Sequence, residues 1–440
     1  MISTARQIPA GVARLLVVWP SKAALAMLIN PSLLFPISLA ALAFFPPDYV
    51  APPFDRLMLG VLCVATFWHM LLTRSAVLFL EPVVVPLALL ALISIASAAT
   101  APYEQQAWSL LAAKYVVPLV MFFVARYVFR DDKAVQRFFI AGNILLAYLV
   151  FTAIASLTGA DSVVFPHFIL DESIGRHTDR ARGPFIQAVA NGTALTMLAL
   201  LAWYYWKRRH FRGVLAALFA ATLPFAIVAT LTRAVWLAFA CSFALVTLNS
   251  KDRAARRVGV FGASVAMIGL ALLLAVPSFR RTIVERAEES GPVEFRLAVY
   301  RGAGAMFQER PLLGSGTNSS ATQLRDHVQG YRLESAPVHN TYLEVALEHG
   351  LIGLALYVSS LVMLLRLGRR LPKQSSPSSP FLTDEFLLIW RALVLVFFIN
   401  SLFVIMNYQY INALLFSVAG MIRAQEARVS PTPAYSLAHR

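Results

Sequence analysis

Runs of about twenty mostly apolar residues recur along this chain, with short clusters of arginine and lysine between them. A run of that length crosses a hydrocarbon layer about 30 Å thick as one helix. No water is available there, so each segment has to satisfy its own backbone amides and carbonyls, and helices do this. Composition agrees: 58% of residues are hydrophobic and 14% charged, against about 25% charged in a soluble domain. Mean hydropathy is +0.66. The fold class expected is an all-α polytopic membrane protein. The net charge of +15 does not signal nucleic-acid binding, because the basic residues lie where they set topology. Cys63 and Cys241 each sit inside an apolar run, which excludes a disulfide framework or a cysteine-based metal site.

About twelve spans are expected on this rule, at 24–45, 57–73, 82–100, 108–128, 136–158, 185–206, 213–231, 234–249, 258–276, 349–367, 386–406 and 409–423. Residues 5–19 read as a basic interfacial helix without a cleavage site. The chain then divides into an N-terminal bundle (1–276), a loop domain (277–348), C-terminal helices (349–423, with a Ser- and Pro-rich linker inside 367–385) and a tail (424–440). Arg74, the Arg126–Arg137 group, KRRHFR (207–212), KDRAARR (251–257) and the RLGRR segment alternate onto one side, together with both termini. The positive-inside rule makes that side the cytoplasm. The other face carries two longer loops, 159–184 and the mixed-charge, partly helical segment 277–348.

Chemistry concentrates on that second face. Arg182 opens RGPFIQAVANG just before a span, and Arg233 lies in TLTRAVWLA between two spans. An arginine that shallow either snorkels to the interface or faces a polar cavity. Guanidinium groups grip phosphate oxygens in a bidentate fork, so several of them at a membrane surface suit a lipid phosphate or pyrophosphate. Lys114, in the outer half of a span, either joins them or snorkels. His339 opens HNTYLEVALEHGLIG (339–353) at the end of the long loop. An imidazole there suits a general base for a hydroxyl nucleophile, or a capping role. Asn340 could orient it, and Gly350 and Gly353 would let another helix approach closely. Glu344 and Glu348, four residues apart, have no assigned role. There is no Asp-x-Asp, Gly-x-Ser-x-Gly or complete phosphate loop, and neither a metal nor a cofactor is expected.

The stretch 339–353 resembles the signature of the O-antigen ligase and polymerase superfamily: His, then Asn, Ser or Gln, nine residues, then Gly-x-x-Gly. His339, Asn340, Gly350 and Gly353 fit it, while Leu354 and Ala355 replace the threonines that often follow. Arg182 to Asn191 is similar to the family's Arg-Gly-x-Phe-x-Asn block with its asparagine displaced, and TLTRAVWLA to its Thr/Ser-Arg element. Arg296-Leu-Ala-Val-Tyr300 followed by PLLGSG resembles Arg-x-x-x-Trp…Pro-x-x-Gly-x-Gly, with Tyr300 for Trp. The resemblance implies a C-type glycosyltransferase fold of the bacterial inner membrane with a periplasmic site. It implies transfer of a glycan from undecaprenyl pyrophosphate to lipid A-core, with inversion. In that reading His339 is the base, and Arg182, Arg233, Arg296 and Arg301 hold the pyrophosphate without a metal. A polymerase or a protein O-oligosaccharyltransferase would use the same donor. A transporter or flippase for an anionic lipid would also explain shallow arginines, but not a histidine outside the spans.

Overall fold

The computed structural model describes residues 30–44, 53–75, 81–175, 177–208, 214–251, 291–328, 338–369 and 381–429, with isolated positions between 253 and 264. The interfacial helix at 5–19, most of the span at 258–276, the linker 371–380, the end of the tail, and Arg176, Arg280, Arg281, Arg286 and Arg332 lie outside the described residues. The longer described helices are α1 (Pro31–Ala41), α2 (Phe54–Leu72), α3 (Val85–Thr100), α4 (Gln105–Val128), α5 (Asp132–Thr158), α6 (Ala188–Arg208), α7 (Val214–Val228), α8 (Arg233–Asn249), α9 (Gly291–Glu309), α10 (Thr341–Arg366), α11 (Asp384–Ser401) and α12 (Gln409–Val429). Four of these, α2, α4, α5 and α10, are long and apolar enough to cross a membrane, and α1, α3 and α8 are shorter apolar helices.

Local sequence sets the helix ends. Asp131 accepts from the Lys133 amide to start α5, and Gly159, at φ 70°, closes it. Thr383 caps α11 through the Phe386 amide, with Asp384 and Glu385 in the first turn. In α4 a π-helical turn, Ala112–Val116, lies just ahead of Pro118. Proline has no amide to give the preceding turn, and the Asn412 side chain reaches across from α12 to the Ala113 carbonyl at 2.9 Å. One apolar core runs through the bundle, with α12 packed along α4 and α8 along α11.

The helices have chemically distinct ends. At one end Arg126 and Arg423 both bind Glu81, Arg428 binds Asp132, and Lys207 binds Glu385. The opposite end gathers the starts of α6, α8, α10 and α12. There Ala181 bonds Ala229, Phe185 rests on Tyr410, and Thr341 bonds Val404.

The helix that carries the span expected at 349–367 begins at Thr341 and is broken inside. Gly350 sits at φ 63°, ψ −162°, a region essentially reserved for glycine. The break frees the carbonyls of Leu347 and Glu348 and the amides of Leu351 and Ile352. The turn 311–316 takes all four: Ser315 and Gly316 donate to Leu347 and Glu348 at 2.9 Å each, and Leu351 and Ile352 donate to Pro311 and Leu312 at 2.8 and 3.3 Å. Gly350 therefore faces the backbone of a turn rather than another helix. A Cβ on it would lie 2.2 Å from the Leu312 carbonyl. Gly353 does face a helix, with Leu90 of α3 at 3.5 Å from a Cβ placed there, but His349 of its own helix is nearer at 2.2 Å.

Gly350→Ala meets both the backbone strain and the Leu312 carbonyl. It should lose at least about 2 kcal/mol of stability, read as a lower unfolding midpoint of the detergent-solubilised protein. An unchanged midpoint would contradict the interlock.

Candidate active site

His339 stands at the entrance to α10, partly exposed, after the buried Val338. Asn340 caps the helix: its Oδ1 accepts from the Leu343 amide at 3.0 Å and its Nδ2 donates to the Leu402 carbonyl at 3.2 Å. The Thr341 hydroxyl donates to Val404 at 2.8 Å and accepts from the Met406 amide at 2.9 Å. The asparagine amide is thus used to fix the helix start on the α11–α12 connection. It positions His339 through the backbone rather than through the imidazole.

Arg296 and Arg301 lie on exposed positions of α9. The other face of α9 carries Val299, Ala303 and Met306, which form a small core with Leu324, Val338 and Leu347. That core holds the arginine-bearing helix against the first turns of α10. His327 pins the far end of α9, with Nε2 2.9 Å from Glu309 and Nδ1 3.2 Å from the Gln323 carbonyl. The Glu309 carboxylate raises the His327 pKa above its usual 6.5.

Arg182 is 1% exposed, and its guanidinium is turned inward. Nη2 donates to the carbonyls of Ile169 (2.6 Å) and Asp171 (2.9 Å), and Nη1 to that of Ile174. Burial lowers its pKa, with the Asp171 carboxylate acting in the other direction. An arginine stays charged under such a shift. Expected to hold a ligand, Arg182 here holds its own loop. That loop is fixed in turn by Ala181, whose amide bonds the Ala229 carbonyl and whose carbonyl accepts from Asn191. Arg233 follows this turn as the exposed first residue of α8.

Lys114 reaches into the interface with α10. Its Nζ is 2.7 Å from Glu344 and 4.0 Å from Glu348, with side chains 9%, 5% and 3% exposed. Its charge is therefore matched inside the bundle, neither snorkelling nor gathered with the arginines. Glu348 does more, since its Oε1 accepts from the Asn318 amide (3.0 Å) and the Ser320 hydroxyl (2.9 Å). The two glutamates that had no role thus join α4, α10 and the segment after PLLGSG.

Sequence reasoning missed the contribution of α3. Ser97 accepts from the Thr317 amide, Thr317 donates to the Ser94 carbonyl, and Ser94 meets His349 at 2.8 Å. Serines inside an apolar run were the only available sign. A second missed feature is strain. Six described residues other than glycine have positive φ; Ile186, Leu231 and His339 lie in the motif blocks, and Asn318 lies two residues after PLLGSG. For isoleucine and leucine this region is a genuine outlier. Such strain clusters where surrounding structure over-determines a functional backbone.

Arg182→Lys cannot reproduce a two-nitrogen fork onto three carbonyls. It should cost about 2 kcal/mol of stability and speed amide exchange in 169–175; unchanged exchange would refute the clamp. His327 gives a pH dependence. Its folded pKa is raised, so its stabilisation is full below about pH 6.5 and is lost as pH rises through the higher folded value. Amide exchange in 324–328 should quicken over that window, and Glu309→Gln should flatten the dependence.

No curated protein matches the chain. Residues 217–358, which include Arg233, Arg296, Arg301, His339 and Gly350, match the family model described as O-antigen ligase, and this supports membership of the O-antigen ligase and polymerase superfamily.

Proposed function

We propose that the chain is an O-antigen ligase that moves a glycan from undecaprenyl pyrophosphate to a sugar hydroxyl of lipid A-core. The family match over residues 217–358, which takes in Arg233, Arg296, Arg301 and His339, supports this reading, and backbone strain at Leu231, Asn318 and His339 falls within the same segment. His339 takes the proton from the acceptor hydroxyl as its oxygen bonds to the anomeric carbon. The bond from that carbon to the pyrophosphate breaks on the opposite side, and the configuration inverts. Pyrophosphate leaves readily when its growing charge is met, and Arg233, Arg296 and Arg301 meet it. Arg182 serves by shaping the loop before α6. The lipid tails of donor and acceptor lie against the apolar outer surfaces of the helices. The proposal places the protein in the bacterial inner membrane with about twelve spans, both termini cytoplasmic and this end of the helices periplasmic.

His339→Ala should lower turnover of the purified protein, given lipid-linked glycan and lipid A-core, by about a hundredfold or more. Normal turnover would remove the histidine from the mechanism. Products separate the readings: a ligase gives glycan-capped core, whereas a polymerase lengthens the lipid-linked glycan and leaves the core bare.

A further inference from the structure

The turn that fills the break in α10 presents two leucines outward. Leu312 and Leu313 are 61% and 72% exposed, a poor arrangement for a loop in water. Next to them Leu351 and Ile352 on α10 are also exposed, and two backbone bonds join the turn to these residues. The same helix exposes Val358, Val362 and Leu365 further along. The leucine pair therefore continues the apolar outer surface of a candidate membrane span.

Depth decides what covers it. From Leu351 to Arg366 the helix rises about 22 Å at 1.5 Å per residue. The hydrocarbon layer is about 30 Å thick. With Arg366 at the far edge, the layer extends past Gly350 and takes in the turn docked there. The turn suits that medium: Pro311 has no amide, and the carbonyls of Arg310, Pro311 and Leu312 accept from Gly314, Leu351 and Ile352. Arg310, exposed at the root of the turn, has a side chain long enough to reach lipid headgroups while its stem lies along apolar surface.

We propose that the Leu312–Leu313 turn inserts into the bilayer leaflet on the loop's side, with phospholipid acyl chains as its partner and Arg310 at the headgroup phosphates. It is a membrane anchor for the loop domain, and it holds α9 at the height of the bilayer surface. The inference depends on α10 being a span and not on the reaction.

The test uses full-length protein with Cys63→Ala and Cys241→Ala, reconstituted in phosphatidylethanolamine–phosphatidylglycerol vesicles. A nitroxide is placed at Leu313→Cys, or at Gln308→Cys on the exposed face of α9. Collision with oxygen reports lipid, and collision with a water-soluble nickel chelate reports solvent. Leu313→Cys should favour oxygen and Gln308→Cys nickel, with no substrate added. Nickel access at 313 would overturn the anchor. So would protection that appears only when a polyprenyl pyrophosphate is supplied, because the surface would then belong to the donor lipid. A thermal unfolding midpoint near that of the unlabelled protein confirms that the labelled variant is folded.

Discussion

Four backbone hydrogen bonds across the break at Gly350 join the loop domain to the membrane helices. A continuous helix would have used those two amides and two carbonyls internally, and the turn would have had no place to dock. The consequences run outward from there. Glu348, just before the break, receives Asn318 and Ser320, and Lys114 sits beside it. The small core around Val338 and Leu347 then sets α9 against the start of α10. His339 and the two α9 arginines thus share one support.

Charge inside this support is arranged for geometry. Removing one partner of a buried pair such as Lys114–Glu344 leaves the other uncompensated, which costs several kcal/mol, while the intact pair is nearly neutral. The pair therefore gives a register between α4 and α10 more than it gives stability. Arg182 works similarly on a smaller scale, with one guanidinium organising three carbonyls of its loop.

Much of this was legible in the chain. Apolar runs and basic clusters announced helices with unlike ends, and the charged groups Arg126, Lys207 and Arg423 do gather away from His339. The burial of Glu344 and Glu348 was hidden because two carboxylates four residues apart look like a solvated helix face. Their partners, Lys114 and the 318–320 backbone, are remote in sequence. Asn340 looked like a companion to the imidazole because it is next to it, yet a cap is what asparagine does best before a helix. Arg182 misled for the same reason that it is useful: a fork that fits phosphate also fits carbonyls. The role of Gly350 could not be seen without the turn, since helix packing and a forbidden backbone conformation both call for glycine.

The shared hydrogen bonds also limit how such chains can be recombined. A loop domain borrowed from a relative would bring its own turn to a break shaped by a different span. Residues 311–316 and 347–352 therefore form a single inheritance unit although some thirty residues separate them. A viable chimera would be cut outside both segments.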